Sequence, residues 1–251
     1  MNPVLFSIGA VNIYSYSVFL TAGCLLAMGW AMREARLRDM DYTLAPKAGI
    51  TAIVCGIIGA RILYIALYPQ EFTSDILNAL RIWNGGLVFS GAVVFGSAGG
   101  AMYLHGKHQK LLPWLDSFAP AIALGQAVGR LGCFFAGCCY GKPTDLPWGV
   151  VFRNTDSLAP LFHPLHPTQI YHSLAGLITF LILLGTKRFF HSDGKITGLF
   201  LMLFSALRFI IEFFRADYRG AIGPISTTQF MAVVFFLTGI YLLFIHKKRS
   251  H

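Results

Sequence analysis

The chain has 251 residues, of which 55% are hydrophobic and only 12% carry a charged side chain. A soluble domain usually has about 25% charged residues, so this composition excludes an ordinary soluble fold and indicates an integral membrane protein. The net charge of +9 would point to nucleic acid in a soluble protein. In a membrane protein it is first explained by topology, and we expect no nucleic-acid partner.

Seven apolar stretches, taken in chain order, are long enough to cross a bilayer as helices. They cover residues 13–32, 47–68, 86–104, 115–136, 168–186, 196–214 and 225–245. The third is rich in Gly, Ala and Ser, and small residues let helices approach closely in lipid, so we expect it inside the bundle. The predicted fold is therefore all-α, a polytopic membrane bundle of seven spans that forms one domain over residues 1–251.

The basic residues divide unequally between the two ends of these spans. With the first loop on the cytoplasmic side, 12 of the 20 Lys and Arg lie on that side, 5 lie on the other, and 3 fall within spans. Because cytoplasmic loops carry the excess of basic residues, the N-terminus is predicted outside and the C-terminus in the cytoplasm. The longest loop, at about residues 137–167, is then extracytoplasmic.

Four charged side chains fall within the predicted spans, namely Arg61, Arg130, Arg208 and Glu212. An ionisable group in a span is unfavourable unless it is paired or faces a wet cavity, so each is a candidate functional residue. Arg208 and Glu212 are four residues apart and Arg215 follows three residues later, which places them along one helix face. These charged residues could form an internal ion pair that only stabilises the packing of the helices. Their net positive charge favours a site for an anionic head group, because the planar fork of arginine suits phosphate oxygens.

Two polar stretches flank the spans on the predicted outer side. RIWNGGLVFSG, at 81–91, places Asn84 and paired glycines where a backbone could approach a ligand. HPLHPTQIYH, at 163–172, supplies three histidines that include His166 and His172. Their spacing is only a weak zinc signal, and isolated histidines near a helix start more often form hydrogen bonds, so we assign no metal there.

The stretch GRLGCFFAGCCYG, at 129–141, places Cys133, Cys138 and Cys139 close to Arg130. Four interpretations stay open. The cysteines could bind a metal with a histidine as an extra ligand, although C-x4-C-C lacks the usual C-x2-C spacing. Two of them could form a redox pair. One of them could act as a nucleophile whose pKa is lowered by Arg130. All three could also be small inert residues. We assign no cofactor and no metal ligand from the sequence.

These stretches together resemble the prolipoprotein diacylglyceryl transferase family. NPVLFSIGAVNIYSY resembles its N-terminal segment and places a family tyrosine at Tyr16, while GARILY resembles G-G-R-I-G-Y. RIWNGGLVFSGA resembles R-x-W-x-G-G-x-x-F-H-G-G, and GRLGCFFAGCCYG resembles the signature G-R-x-G-N-F-x-N-x-E-x-x-G. HPTQIY resembles H-P-S-Q-L-Y, and LRFIIEFFR resembles F-R-x-x-x-E-x-x-R. The order and spacing agree nearly from end to end.

The resemblance implies a seven-span enzyme of the bacterial cytoplasmic (inner) membrane with its N-terminus outside. Family members move a diacylglyceryl group from phosphatidylglycerol to the cysteine thiol of a prolipoprotein signal peptide, forming a thioether while glycerol phosphate leaves. The expected partners are therefore phosphatidylglycerol, or another anionic phospholipid, and a prolipoprotein signal peptide. Such a reaction needs a thiolate nucleophile and cations around a leaving phosphate.

The resemblance also assigns expected roles to individual residues. Arg130 and Arg208 match essential family arginines that would hold the phosphate, and Glu212 matches the partner glutamate that would orient Arg208. With the three cysteines of the signature, these form the predicted catalytic set. The predicted substrate-binding residues are Tyr16, Arg61, Asn84, Ser90, Gly141, His166 and Arg215.

The chain departs from the family pattern at several of these positions. Ser90 stands where the family has histidine, Cys133 replaces an asparagine, and Cys138 replaces a glutamate with Cys139 beside it. Smaller departures are Ala92, His172 and Phe204. If the family histidine activates or holds the acceptor thiol, His166 and His172 are the available substitutes. The alternative functions are a divergent paralogue that uses its own cysteines for lipid or thiol chemistry, and a non-catalytic membrane protein that binds phospholipid or metal.

Overall fold

The computed structural model describes residues 2–9, 11–72, 76–82, 85–190, 192–216, 221–222 and 225–245. In these residues the chain is mostly helical, with seven α-helices and three two-stranded antiparallel sheets. The helices are α1 (Ser15–Leu37), α2 (Leu44–Leu67), α3 (Phe89–Gly106), α4 (Leu111–Ala136), α5 (Thr168–Thr186), α6 (Lys195–Glu212) and α7 (Thr227–Ile240). The strands are β1 (Val4–Ile8), β2 (Val11–Tyr14), β3 (Val150–Val151), β4 (Pro164–Leu165), β5 (Ala221–Ile222) and β6 (Ile225–Ser226).

Each predicted apolar stretch coincides with one of these helices. Five of the described helices, α1, α2, α4, α5 and α7, are long and apolar enough to cross a membrane. The other two do not meet this description: α3 is rich in glycine, and α6 carries three charged side chains, those of Lys195, Arg208 and Glu212. The short sheets lie outside the helices, where hairpin pairing satisfies backbone groups that no helix satisfies.

The described chain forms two compact units, one of residues 1–30 with 115–251 and one of residues 31–114. The prediction of a single domain stays a prediction. In the unit of residues 31–114, small residues let α2 and α3 pack closely, because a Cβ on Gly91 would lie only 2.5 Å from the carbonyl oxygen of Gly59. Within this unit Val94 and Met102 on α3 are 57% and 73% exposed, so one face of α3 is covered by α2 while another presents apolar side chains outward.

In the other unit, glycines again mark the helix crossings. Gly23 of α1 faces Gly125 of α4, where an added Cβ would lie 2.7 Å from the Gly125 carbonyl oxygen. Gly198 of α6 faces Gly239 of α7 in the same way. A buried apolar cluster joins α4, α5 and α6, and its members are Ala119, Ala123, Phe180, Leu183, Ile196 and Phe200.

Asp116, a residue to which sequence reasoning assigned no role, ties the start of α4 to the start of α6. It is 1% exposed and accepts hydrogen bonds from the Gly194 amide at 2.8 Å and from the Thr197 amide and hydroxyl at 2.8 and 2.6 Å. The first amides of a helix have no partner within the helix, and a carboxylate there satisfies them and complements the helix dipole. Asp116 thus fixes the helix that carries Arg208 and Glu212.

Replacing Asp116 with the isosteric asparagine should lower the free energy of unfolding by about 2 kcal/mol, because the amide nitrogen cannot accept from Gly194 and the charge is lost. The exposed neighbour of Gly194 provides a matched control, since Asp193→Asn should leave stability unchanged. Thermal unfolding of both variants in detergent tests this expectation. Equal melting temperatures for the two variants would contradict the anchoring role of Asp116.

The predicted loop at about 137–167 has a small core of its own. Phe152, Ala159 and Leu165 are buried together, with Tyr140, Val150 and Leu161 packed around them. The pairing of β3 with β4 brings Val150 opposite Leu165. The loop therefore holds a defined shape directly after the cysteine-rich end of α4.

Candidate functional site

The three cysteines of the signature converge where α4 ends. Gly137 and Cys139 adopt the left-handed backbone conformation, with φ of 75° and 59°, so the chain folds back on the last turn of α4. The Sγ atoms of Cys133, Cys138 and Cys139 all lie within 4.8 Å of one another, and no disulfide joins the described cysteines. These three residues are called the cysteine cluster below.

The first residues of α5 hold this turn in place. The Thr168 hydroxyl donates to the carbonyl of Cys139 at 2.6 Å, and the Gln169 side-chain amide donates to the carbonyl of Cys138 at 2.8 Å. Both side chains are 0% exposed. The sequence analysis assigned no role to Thr168 and Gln169. Two polar residues that follow a proline at the start of a helix do indicate hydrogen bonds of this kind.

Two guanidinium groups act on the cluster, one from α4 and one from the segment that follows α6. The helix α6 ends at Glu212, so the prediction that Arg215 lies on the same helix face as Arg208 and Glu212 is wrong. The charge of Arg130 acts on Cys133, three residues later on α4. Arg215, which is only 5% exposed, hydrogen-bonds the thiol of Cys139 and attracts its negative charge. The structure therefore gathers three predicted catalytic cysteines, one predicted catalytic arginine and one predicted substrate-binding arginine.

Tyr16 reaches the same place from α1. It lies close enough to interact electrostatically with the cysteine cluster and with Arg130. The approach depends on Gly132, because a Cβ there would lie 3.1 Å from the carbonyl oxygen of Tyr16. Tyr16 remains 41% exposed, so its ring borders the cluster on an accessible side.

The pKa values within the cluster diverge. The pKa of Cys139 is lowered because hydrogen bonds from Cys133 and Cys138 stabilise its thiolate, with Arg215 adding to this effect against the opposing effect of burial. The pKa of Cys138 is raised, because its hydrogen bonds with Cys133 and Cys139 retain its proton and burial disfavours its charged form. These directions make Cys139 the more acidic thiol of the pair and Cys138 the less acidic one.

This divergence predicts a pH profile for thiol alkylation. Below the ordinary thiol pKa of about 8.5, Cys139 should react with iodoacetamide faster than Cys138, since only the thiolate is nucleophilic. The difference should persist as the pH rises through the ordinary thiol pKa, because the pKa of Cys138 is raised and this thiol keeps its proton longer. Peptide mass spectrometry after timed quenching measures both sites in one sample, and equal rates at acidic pH would contradict the assignment.

Gly141 connects its own segment to the segments of His166 and Arg215. Its amide donates to the carbonyl of His166 at 3.0 Å, and it forms an antiparallel bridge with Arg215. The ring of His166 lies 3.1 Å from the Tyr171 hydroxyl and 5.1 Å from the ring of Phe214. The predicted site residues Gly141, His166 and Arg215 are thus neighbours through the backbone.

Arg208 lies deeper along α6, where it is 7% exposed. It lines a cavity of about 10 Å³, the scale of one water molecule, together with His172 and Thr179 of α5 and Gln126 of α4. The Thr179 hydroxyl is buried and has no hydrogen-bond partner among the described residues. Arg208 therefore places a guanidinium group beside polar side chains inside an apolar bundle, in a space the size of one water molecule.

Glu212 has a partner that the sequence did not predict. Its Oε1 accepts a hydrogen bond from the Ser226 hydroxyl at 3.2 Å, and its Oε2 is buried without a hydrogen-bond partner in the described part of the chain. Ser226 also caps α7 by accepting from the Gln229 amide at 3.1 Å. Glu212 therefore links the end of α6 to the start of α7, and its role in orienting Arg208 stays a prediction.

Three predicted substrate-binding residues belong to the stretch 31–114. Asn84 lies outside the described residues. Ser90 is partly buried in the first turn of α3. Arg61 is 6% exposed, and all five of its N–H groups point to backbone carbonyls, those of Asn78, Ala79, Arg81, Gly85 and Gly86. This gives Arg61 a structural role that the sequence did not predict, and its part in substrate binding stays a prediction.

Comparison with known proteins gives a match over almost the whole chain. The family model described as prolipoprotein diacylglyceryl transferase matches residues 3–245. A phosphatidylglycerol–prolipoprotein diacylglyceryl transferase of Clostridium tetani is 35% identical over 250 residues, covering 100% of each chain. A similar protein of Clostridium perfringens is 34% identical, and the match spans 100% of this chain and 97% of that protein. A similar protein of Finegoldia magna is 30% identical, and the match spans 99% of this chain and 97% of that protein.

Proposed function

The chain belongs to the prolipoprotein diacylglyceryl transferase family, and we propose that it moves a diacylglyceryl group from phosphatidylglycerol to the cysteine thiol of a prolipoprotein. The observation that carries this proposal is the match to the Clostridium tetani transferase, which extends over the full length of both chains. The family membership and the apolar helices make the protein a multi-pass membrane enzyme.

In the proposed reaction, the acceptor thiolate attacks the carbon that joins the diacylglyceryl group to phosphate. The C–O bond breaks, and glycerol phosphate leaves with the electron pair. Negative charge therefore grows on the phosphate oxygens, and we assign Arg130 and Arg208 to neutralise it. The burial of Arg208 supports this role, because an ion pair is stronger where water is excluded.

The remaining predicted residues are proposed to position the substrates. Glu212 orients Arg208, which lies one turn earlier on α6. Tyr16 lines the site, as its partial exposure beside Arg130 supports. Asn84 is assigned a part in substrate binding from the motif alone. Arg215 balances charge at the cysteine cluster, where it contacts Cys139.

The proposed setting is the bacterial inner membrane, with seven spans, the N-terminus outside and the C-terminus in the cytoplasm. Seven described helices at the predicted positions and the unequal distribution of basic residues support this topology. The loop that follows the cysteine cluster would then face outward, where a prolipoprotein signal peptide presents its cysteine.

A bacterium depleted of its own family member tests the proposal in cells. Expression of this chain should restore lipid-modified lipoproteins, whereas expression of Arg208→Ala should not. Immunoblots of membrane fractions control for equal insertion of the two proteins. Unmodified prolipoprotein in cells that contain the wild-type chain in their membranes would contradict the proposed activity.

The second candidate is a divergent enzyme that uses its own cysteines, and the lowered pKa of Cys139 favours it. Its thiolate would attack phosphatidylglycerol and take up the diacylglyceryl group, while the C–O bond to phosphate breaks and glycerol phosphate leaves. Mass spectrometry of the cluster after incubation with phosphatidylglycerol separates the candidates, because a lipid adduct on Cys139 supports this route. Unmodified cysteines beside a modified acceptor peptide exclude it.

A further inference from the structure

The cysteine cluster has the geometry of a metal site. Thiolates bind Zn²⁺ at about 2.3 Å, which places neighbouring sulfurs of a tetrahedral centre roughly 3.8 Å apart. The three Sγ atoms already lie within 4.8 Å of one another, so small side-chain rotations bring them to this spacing. The left-handed backbone of Cys139 lets two neighbouring side chains approach Cys133 together.

The backbone of this cluster is fixed before any ligand binds. Two buried side chains at the start of α5, Thr168 and Gln169, hold the carbonyls of Cys139 and Cys138. Cys133 is anchored in the last turn of α4 and is 9% exposed. Cys138 and Cys139 are partly exposed, so the cluster has a closed side and an accessible side.

We propose that Cys133, Cys138 and Cys139 bind one Zn²⁺ ion through three thiolates and leave its fourth coordination position to the acceptor thiol. The second half of this proposal rests on the proposed function, which supplies a cysteine thiol as the substrate. Three protein ligands with an open fourth position are the arrangement of catalytic zinc, and soft thiolates favour Zn²⁺ over hard cations.

The charges around the cluster suit this occupant. Three thiolates and a divalent cation leave one net negative charge, and a fourth thiolate leaves two. Arg130 acts on Cys133 and Arg215 on Cys139, so two guanidinium groups offset the charge of the four-thiolate complex. The attraction of these partners offsets part of the penalty for removing the charge from water.

Neither the coordination of the thiols nor the diacylglyceryl transfer needs an oxidant or a reductant. On coordination each thiol exchanges its S–H bond for an S–Zn bond, and its proton passes to solvent. The acceptor thiol loses its proton in the same way and arrives as a thiolate. Its sulfur electron pair then forms the S–C bond, while the electrons of the C–O bond leave with the phosphate and zinc stays Zn²⁺ throughout.

Cobalt provides a spectroscopic probe of the proposed site. Titrating the reduced, full-length protein with Co²⁺ under anaerobic conditions should give thiolate-to-cobalt charge-transfer absorbance that saturates at one equivalent and that Zn²⁺ abolishes. Cys139→Ser should lose this signal, whereas the double variant Cys24→Ser with Cys55→Ser, remote in sequence from the cluster, should retain it. Saturation without charge-transfer absorbance would overturn the proposal.

Thiol alkylation of the wild-type protein tests metal binding without relying on the folding of a variant. Zn²⁺ should protect Cys133, Cys138 and Cys139 from alkylation by at least about tenfold in rate, while Cys24 and Cys55 react as before. Unchanged alkylation of the cluster in the presence of Zn²⁺ would refute metal binding without any substitution.

The fourth position has its own test. A signal-peptide fragment that contains the acceptor cysteine should shift the visible absorption of the Co²⁺ protein, and the same peptide with serine should not. No shift with either peptide overturns acceptor coordination. Transfer at full rate by chelator-treated protein also overturns it and leaves the proposed function intact. If no diacylglyceryl transfer occurs either with or without Zn²⁺, the result counts against the proposed function. The Co²⁺ spectrum then still tests the metal site.

Discussion

Substituting lysine for Arg208 should lower kcat/KM for diacylglyceryl transfer by about 100-fold or more. Lysine keeps the positive charge but presents a point charge in place of a planar fork, so it cannot bind two phosphate oxygens side by side. Because Arg208 is 7% exposed and the charge on the phosphate grows during the reaction, the loss should appear in kcat more than in KM.

The control for this variant is Arg153→Lys, which changes an exposed arginine in the loop that follows α4. It should transfer diacylglyceryl groups at the wild-type rate. Kinetics with phosphatidylglycerol in mixed micelles and a cysteine-containing signal peptide measure both variants. Wild-type kcat for Arg208→Lys would show that Arg208 contributes charge alone, or nothing, to the transition state.

Adding one methyl group at Gly141 should lower the free energy of unfolding by about 3 kcal/mol and reduce activity with it. The Cβ of alanine would lie 2.6 Å from the Cβ of His166 and 2.7 Å from the carbonyl oxygens of His166 and Phe214. Most of these atoms are backbone, so the segments must separate. The separation moves Arg215 away from Cys139, because Gly141 pairs with Arg215.

Gly129→Ala is the matched control in the same stretch of sequence. Its Cβ would meet nothing within 4 Å, and alanine suits the helical position better than glycine, so stability should stay equal or rise. Thermal unfolding in detergent compares the two variants. Equal melting temperatures would contradict the tight junction assigned to Gly141.

The helices could be predicted from the sequence because hydropathy is a local property. Each of the seven apolar stretches contains a helix, and the placement of Arg208 and Glu212 on one helix, α6, is confirmed. Five of the helices are apolar enough to span by composition, and the charges of α6 explain why it falls short. The membrane topology stays a prediction, since it depends on which side each loop occupies.

The site was less predictable because it depends on contacts between distant segments. The convergence of the cysteines requires a left-handed Cys139 and hydrogen bonds from Thr168, which lies 29 residues later. The hydrogen bond from Ser226 to Glu212 similarly joins two helices across a loop. The five carbonyls around Arg61 come from a segment whose path no periodicity predicts. Spacing rules therefore singled out the candidate site residues and missed their hydrogen-bond partners.

The most direct test of the proposed transfer is mass spectrometry of an acceptor peptide after incubation with the purified protein and phosphatidylglycerol. We expect a thioether-linked diacylglyceryl group on the cysteine of a prolipoprotein signal peptide, with one glycerol phosphate released for each peptide modified. A peptide with serine in place of that cysteine should remain unchanged. An unmodified cysteine peptide, in an assay where the Clostridium tetani relative modifies the same peptide, would contradict the proposed function.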